Sequence, residues 1–278
     1  MKFAFGFLAP HMLCLISFIA TGQVSSVGPI LNPEQGLINC VYKITFQPDS
    51  TVKDVRVEYS RLLIGKNISK FETVGTQVGD SIRNSYPEIL TASNTNPQEY
   101  ADKMLSAPYT RFHYSIYKTI AINRLYCYDK VGNVLYRYIE PDKLFTWKIS
   151  QEKTNIAGYA CQRATTEFAG RVFEAWFTRE VPISEGPYKF YGLPGLIVKV
   201  HDSDNYYSFE LTKLSKTIGS VPVALPAKKA IITTKEALRK GQATYNLSLA
   251  NRATQMGGGV SAAQLQRMKK PITPLELR

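Results

Sequence analysis

Alternation of apolar and polar residues is the dominant pattern of this sequence, and it predicts β-strands over most of its length. LINCVYKITF, residues 37–46, alternates with a period of two, and VKDVRVEYSRLLIG alternates again after the turn QPDST. A period of two places alternate side chains on opposite faces of a sheet, so these segments predict a hairpin. The pattern returns at Tyr109 and continues to Lys216, with turn signals about every 8 to 14 residues.

Helical patterns are confined to two other parts of the chain. Residues 72–108 form a polar, partly helical excursion, in which EILTA and EYADKML are short and poorly capped. Residues 233–255, TTKEALRKGQATYNLSLANRATQ, predict a helix with Thr233 or Thr234 as its N-cap. Three glycines end that helix, and residues 261–270 predict a last short one.

These patterns together predict a mainly β fold, a curved antiparallel sheet or incomplete barrel with short C-terminal helices. Parallel strands need crossover helices, and no long helical pattern separates the strands after Tyr109. The spacing of the turns gives roughly eight to eleven strands.

The first 22 residues have the pattern of a secretory signal peptide. One lysine precedes a nearly continuous apolar run, and the small residues ATG follow it. A membrane anchor is one alternative, but a Pro-His pair interrupts the run and no basic stop follows. A lipid-modified Cys14 is another, but small residues do not precede it. We therefore predict a signal peptide at 1–22, a β domain at 23–220 and a basic, partly helical tail at 221–278.

The net charge of +12 is concentrated in one segment. Residues 212–278 contain twelve lysines and arginines against two glutamates, whereas the part before them is nearly neutral. Tyr245 is the only aromatic residue of this segment, so it offers a single ring for stacking on bases. No nucleic-acid partner is therefore predicted. An anionic membrane surface or an acidic protein fits the charge better, and a solvated tail without a dedicated partner is the alternative.

Three cysteines follow the predicted signal peptide: Cys40, Cys127 and Cys161. In an oxidising compartment they allow one disulfide and one spare thiol, in any of three pairings. The alternative is three buried, unpaired thiols, because free cysteine is commonly an interior residue.

Candidate catalytic groups are few. The sequence contains no G-x-S-x-G, G-x-x-x-x-G-K-[ST] or H-E-x-x-H motif. His201 and Asp202 begin a His-Asp-Ser-Asp cluster that could bind a metal or transfer protons, although such residues are also expected in a hairpin turn. His113 suits a core or edge position among strand aromatics, and Glu180 with Glu185 suits either acid-base chemistry or a solvated pair. We therefore predict no catalytic residues, cofactor or metal.

The segment GPYKFYGLPGLIVKV, residues 186–200, is the strongest candidate for a binding site. Pro194-Gly195 suits the central positions of a type II turn, and Gly186-Pro187 would make a second bend. The bends could present a binding loop to solvent. Alternatively, the loop could be a plug over an open edge of the sheet that buries Phe190 and Leu193. The candidate binding residues are Tyr188, Lys189, Gly192, Leu193, Pro194 and Gly195.

Residues 147–211 resemble the GLPGLI family of bacterial envelope proteins. The hexapeptide that names the family stands here at residues 192–197, and Trp147, GYACQRA, a Gly-Arg turn, Ala-Trp, VPI and Gly-Pro precede it in order. The resemblance implies a secreted protein of Bacteroidota-type bacteria, in the periplasm or associated with the outer membrane. It implies no reaction and no catalytic residues. Proteins of this kind often accompany TonB-dependent transporters, which are implied as partners.

Three classes of function follow. The leading hypothesis is a noncatalytic accessory protein that binds an outer-membrane protein, such as a TonB-dependent transporter, or an anionic membrane surface. The second is a carrier of a lipid or other apolar ligand, which requires a large apolar cavity beneath residues 192–197. The third is an envelope enzyme of unknown reaction that uses His201 or a carboxylate pair.

Overall fold

A computed structural model describes residues 32–48, 54–86, 97–119, 123–141, 143–217, 221–227, 229–255 and 275–276. The chain divides into two units, residues 1–30 and 31–278, and all the described residues belong to the second. The predicted signal peptide and the predicted helix at 261–270 lie outside the described residues.

The described residues form strands and helices in the following order. The strands are β1 (Glu34–Gln35), β2 (Ile38–Phe46), β3 (Arg56–Ile64), β4 (Ile68–Thr73), β5 (Ser115–Thr119), β6 (Arg124–Val131), β7 (Val134–Glu140), β8 (Lys148–Ile156), β9 (Tyr159–Phe168), β10 (Arg171–Thr178), β11 (Leu196–Asp202), β12 (Tyr207–Lys216), β13 (Pro222–Val223) and β14 (Ile231–Ile232). The helices are α1 (Val74–Ser85), α2 (Pro97–Ser106) and α3 (Lys235–Gln255).

Twelve of these strands form one open sheet with the order β14-β7-β6-β5-β4-β3-β2-β12-β11-β10-β9-β8. Strand β14 runs parallel to β7, and the other neighbouring strands are antiparallel. The two edges, β14 and β8, are not paired with each other, so the sheet does not close into a barrel. The prediction of a mainly β fold built on a large antiparallel sheet is confirmed, with one strand more than the roughly eight to eleven expected.

The chain enters this sheet in the middle. Strands β2 to β7 run outward to one edge, and the connection after β7 then crosses to the opposite edge. Strands β8 to β12 run back until β12 pairs with β2 along its whole length. The crossing connection brings Phe145 into the core.

The main core lies on one face of the sheet. In β2 the buried side chains are Cys40, Tyr42, Ile44 and Phe46, and the residues between them are exposed or half-buried. This alternation is the one that the sequence predicted. Aromatic side chains from the loops complete the core on that face, among them Phe145 and Phe190.

The second face is covered locally by the segment that follows β12. Val223 is fully buried and packs with Leu63 of β3, Tyr117 of β5 and Tyr126 of β6. Strand β13 pairs with β1, and β14 pairs with β7. The division at residue 220 stays a prediction, but the described part of the segment after it packs on the sheet.

Two of the described helices lie where the sequence predicted them, since α2 contains EYADKML and α3 lies within residues 233–255. The segment EILTA lies outside the described residues. The start of α1 was not predicted, and there the Thr73 hydroxyl accepts a hydrogen bond from the Thr76 N–H at 3.2 Å. At α3 the Thr234 hydroxyl accepts one from the Ala237 N–H at 3.2 Å, which confirms Thr234 as the cap. Helix α3 has 21 residues and matches the helix predicted over 233–255, although the fold prediction described the C-terminal helices as short. Within the described part of the chain, no helix is both long enough and apolar enough to cross a bilayer.

Candidate functional site

The connection between β10 and β11, residues 179–195, folds over the core face of the sheet. Phe190 and Leu193 are 0% and 1% exposed. The ring centroid of Phe190 lies 5.3 Å from that of Phe145 and 4.8 Å from that of Phe173. Burial of the two predicted plug residues is confirmed. Because β10 and β11 are neighbours inside the sheet, the loop covers a face and not an open edge.

The predicted type II turn at Pro194-Gly195 is wrong. Such a turn would join the Leu193 carbonyl to the Leu196 N–H, but the Leu196 N–H donates across the loop instead. The Gly195 N–H donates to the Leu193 carbonyl at 2.8 Å, which defines a γ-turn around Pro194. Gly195 has a φ of +155°, and a Cβ there would lie 2.0 Å from the backbone oxygen of Thr178. Close approach of the two backbones is therefore what requires this glycine.

Two buried lysines hold the loop against the sheet. Lys118 of β5 donates to the carbonyls of Gly186 at 2.7 Å and of Phe190 at 3.2 Å. The same ammonium pairs with Glu185 at 2.6 Å. Ser69 of β4 donates to the other oxygen of Glu185 at 2.8 Å. These contacts satisfy groups that the loop would otherwise bury without partners.

Lys189 is the second of these lysines and is 1% exposed. Its ammonium contacts Glu140 of β7, and it lies 2.5 Å from Glu276 and 3.1 Å from the Tyr138 hydroxyl. Burial alone would lower the pKa of Lys189, but the neighbouring acidic groups, including both carboxylates, hold it well above its ordinary value. A lysine that stays charged does not attack as a nucleophile, and the charge of this one is matched by carboxylates.

Tyr188 and Lys189 are not presented to solvent, contrary to the binding-loop interpretation. Tyr188 is 5% exposed and has a φ of +54°. Positive φ in a residue other than glycine is unfavourable and persists where the surroundings fix it. Here the hydroxyl donates to Glu276, and the ring stacks on Phe209 with 6.2 Å between centroids.

Both residues instead line a cavity of about 280 Å³ on the core face. This volume is close to the lower limit of small-molecule sites, roughly 300 Å³. One side is bordered by α3 and by the C-terminal pair Leu275 and Glu276. The walls are largely aromatic: Phe46, Phe112, Tyr114, Tyr138, Tyr188 and Tyr207. We call this space the aromatic cavity.

The aromatic cavity carries more positive than negative charge. Neither the Arg111 nor the Arg239 guanidinium forms an ion pair or a side-chain hydrogen bond with another described residue. Both therefore remain available to an anion. The cationic residues of the lining are Arg111, Lys189, Lys235 and Arg239, and the acidic ones are Asp129 and Glu276.

Two polar groups of the lining, the Tyr114 hydroxyl and the Asp129 carboxyl, differ in their hydrogen bonding. The Tyr114 hydroxyl is buried and has no hydrogen-bond partner among the described residues. Leaving such a group unpaired costs about 1 to 3 kcal/mol, so a ligand atom that bonds to it would be favoured. Asp129 accepts hydrogen bonds from the Lys130 N–H at 2.7 Å and from Gln242 at 2.8 Å, and burial raises its pKa.

Four of the six predicted binding residues lie outside the lining of the aromatic cavity. Leu193 and Gly195 are buried, whereas Gly192 and Pro194 are exposed. They shape the loop: Gly192 has a φ of +95°, and beside it Trp147 donates to a backbone carbonyl at 2.8 Å. A role of these four residues in recognition stays a prediction.

His201 and Asp202 do not form a reactive pair. Asp202 accepts hydrogen bonds from Arg171 at 2.8 Å and from the Tyr207 N–H at 2.6 Å, at the start of the hairpin turn between β11 and β12. The turn interpretation is confirmed. His201 lies on the opposite face of β11, 3.8 Å from Glu174, and burial lowers its pKa. It is therefore remote from the aromatic cavity.

The predicted carboxylate pair and His113 also lie outside the lining of the aromatic cavity. Glu180 is exposed and accepts a hydrogen bond from the Ala160 N–H at 2.8 Å. Glu185 is 4% exposed, so the expectation of a solvated pair is wrong. His113 precedes β5, is exposed, and borders a second cavity of about 300 Å³ beside α1 and α2.

The three described cysteines are buried and free: Cys40, Cys127 and Cys161. The sequence allowed either a disulfide or buried, unpaired thiols, and the structure shows the buried thiols. Burial raises the pKa of Cys40 and Cys127 to about 12, so neither is a thiolate at neutral pH.

The carrier hypothesis requires a large apolar cavity beneath residues 192–197, where the structure places packed aromatic rings. Aromatic side chains fill that space. The ring of Phe145 lies 5.0 Å from that of Phe168 and 5.3 Å from that of Phe190.

The sequence patterns did not identify several residues of the aromatic cavity. Apart from Lys189, its cationic residues lie outside the candidate segment 186–200 and in segments without a binding motif. Glu276 offered one usable signal, because it is one of two acidic residues in the basic segment 212–278 and directly follows an apolar residue. The residues missed are Arg111, Tyr114, Lys235, Arg239 and Glu276.

Comparison with known proteins supports the fold and a short family match. The family model described as "Protein of unknown function (Porph_ging)" matches residues 167–199, from the end of β9 to β11. No curated protein matches the chain. The structure of PNGF-II in the C2 space group is 14% identical, with a TM-score of 0.50, and the match covers 76% of this chain and 33% of PNGF-II.

A second structure of PNGF-II, in the P21 space group, is 13% identical with a TM-score of 0.49, and the match covers 76% of this chain and 34% of the other. The chain thus spans about a third of the length of the solved structures it matches. At this identity the likeness to the C2 form concerns the fold, and it agrees with the mainly β class.

Proposed function

We propose that the protein is a noncatalytic extracytoplasmic accessory protein that binds an envelope partner through the aromatic cavity. The proposal retains the GLPGLI resemblance of residues 147–211. Through that resemblance it includes the periplasm or outer membrane as the location and a TonB-dependent transporter as a candidate partner.

The observation that carries the proposal is that two arginines beside the aromatic rings of the cavity have no ion-pair partner among the described residues. Guanidinium groups bind carboxylates, sulfonates and phosphates and stack on aromatic rings. Arg111 and Arg239 both line the cavity. The ligand group that suits this site has a negative charge next to a flat apolar part.

Binding of anilinonaphthalene sulfonate, an aromatic anion, tests the site directly. The wild-type protein should bind it saturably, with a rise in fluorescence. Because a charge-assisted contact contributes about 1.5 to 3 kcal/mol, Arg111→Gln combined with Arg239→Gln should weaken binding about tenfold or more. Arg179→Gln is the matched control, because Arg179 is exposed and lies outside the lining. Equal binding by the double variant and the control would contradict the proposal.

Native mass spectrometry of the protein purified from its own envelope tests the partner. An attached mass in the wild type that is lost in the double arginine variant and kept in Arg179→Gln is the expected result. If none of the three proteins carries an attached mass, the result would count against an accessory role.

A further inference from the structure

The C-terminal pair Leu275 and Glu276 occupies a built carboxylate site at the border of the aromatic cavity. Lys189 donates to Glu276 at 2.5 Å, Lys235 contacts its second oxygen at 2.9 Å, and the Tyr188 hydroxyl also donates to it. Leu275 is 7% exposed and belongs to the main core cluster. A carboxylate with three donors around it is bound as a ligand would be.

The donors belong to elements that are positioned by other contacts. Lys189 lies in the loop between β10 and β11 and is also paired with Glu140 of β7. Lys235 is the first residue of α3, which follows the Thr234 cap and places Leu238 against the sheet. The carboxylate site is thus formed by the body of the protein, and Glu276 reaches it from a distant part of the sequence.

The cavity continues beyond the carboxylate of Glu276. Arg111, Arg239 and the unsatisfied Tyr114 hydroxyl line the rest of it, and none of them contacts the C-terminal pair through a described hydrogen bond or ion pair. The site therefore has room and donors for more than the two residues that now border it.

We propose that Leu275 and Glu276 are an internal surrogate ligand, and that the partner binds as a peptide segment with an apolar residue followed directly by an acidic one. This inference rests on the proposed function of the aromatic cavity. The partner's acidic residue would replace Glu276 between Lys189 and Lys235, and its apolar residue would replace Leu275. Bound in cis, the pair competes with the partner for Lys189 and Lys235, and it leaves Arg111 and Arg239 open to other anions.

A peptide with the sequence of residues 272–278, ITPLELR, tests the inference when it is labelled with fluorescein and added to the full-length protein. Glu276→Gln should bind the peptide at least about tenfold more tightly than the wild type, because the internal competitor is weakened. Leu275→Ser is a second variant that removes the apolar contact without leaving a buried charge unpaired. The control is the same peptide with glutamine in place of its single glutamate, which should bind neither variant.

The outcomes separate this inference from the proposed function. Equal peptide affinity in the wild type and in both folded variants would overturn the surrogate role. No peptide binding by either variant, with anilinonaphthalene sulfonate still bound, would overturn the inference and leave the site intact. Binding of neither probe by the wild type or by either variant would overturn both proposals.

Discussion

At the residue scale, the loop over the core depends on positions where the backbone leaves no room for a side chain. Gly195 and Gly158 both have positive φ, but their surroundings differ. A Cβ on Gly195 would lie 2.0 Å from the Thr178 oxygen, whereas a Cβ on Gly158 would meet nothing within 4 Å. The pair therefore separates the cost of the dihedral angle from the cost of the contact.

We expect Gly158→Ala to lower the free energy of unfolding by about 1 kcal/mol, the usual cost of positive φ for alanine. Gly195→Ala should lower it by about 3 kcal/mol or more, because the backbone must also move away from Thr178. Urea denaturation of both variants measures the difference. Equal losses would show that the approach to Thr178 relaxes without cost.

Glu276 should make stability depend on pH. Burial alone would raise its pKa, but the attraction of Lys189 and hydrogen bonds from Lys189, Tyr188 and Lys235 hold it below the ordinary value. A glutamate whose pKa is lower in the folded protein than in the unfolded chain, where it is ~4.3, stabilises the folded state fully above that pH. This stabilisation is lost as the pH falls through the pKa of the folded protein.

The wild type should therefore be more stable than Glu276→Gln at neutral pH, and the advantage should shrink as the pH falls below about 4. Denaturant unfolding of both proteins at several pH values checks this. A difference that stays constant down to about pH 3 would contradict the assigned ion pair.

At the scale of elements, strands could be predicted from the sequence because alternation and glycine turns are local signals. The turn at Ala169-Gly170, with φ values of 48° and 83°, follows such a signal. Residues 109–129 contain no glycine or proline to signal a turn, but β5 and β6 are separate strands, with a φ of 45° at Asn123 between them. Apolar residues on both sides concealed that break.

The candidate site could not be predicted in the same way, because it is made of contacts between distant residues. Lys189 meets Glu140 and Glu276, which are 49 and 87 residues away in the chain. A lysine between aromatic residues in a glycine-rich segment predicts an exposed loop unless its buried partners are known. Periodicity assigns a residue to a face of a sheet and leaves its partner undetermined.

Helix α3 provides a prediction at this scale, because one leucine docks it on the sheet. Leu238 is 4% exposed and lines the aromatic cavity, whereas Leu247 on the same helix is 50% exposed. Leu238→Ala should loosen the helix and lower amide protection across its first turns, while Leu247→Ala should leave protection unchanged. Hydrogen exchange measures both, and unchanged protection in Leu238→Ala would show that other contacts dock the helix.

At the scale of the whole molecule, the sheet has a complete core without covalent links between its described strands. The three described cysteines lie on β2, β6 and β9, and all are free. A protein comprising residues 23–278, denatured without reductant, should therefore titrate three thiols. A count of one would reveal a disulfide. In the native state the thiols should react slowly, because Cys40 and Cys127 are buried with pKa values of about 12.

The place where the chain enters the sheet has a consequence for how the protein is made. Strand β2 is synthesised first among the strands of the large sheet, and β3 pairs with one of its sides at once. Its other side has no neighbour until β12, the return strand, has been made. Such a non-local pairing is the slow kind of step in folding, and an uncovered strand edge is a template for another copy of the chain. Nascent molecules are thus most prone to aggregate through β2 in the time before the last residues of β12 have been made and can pair with it.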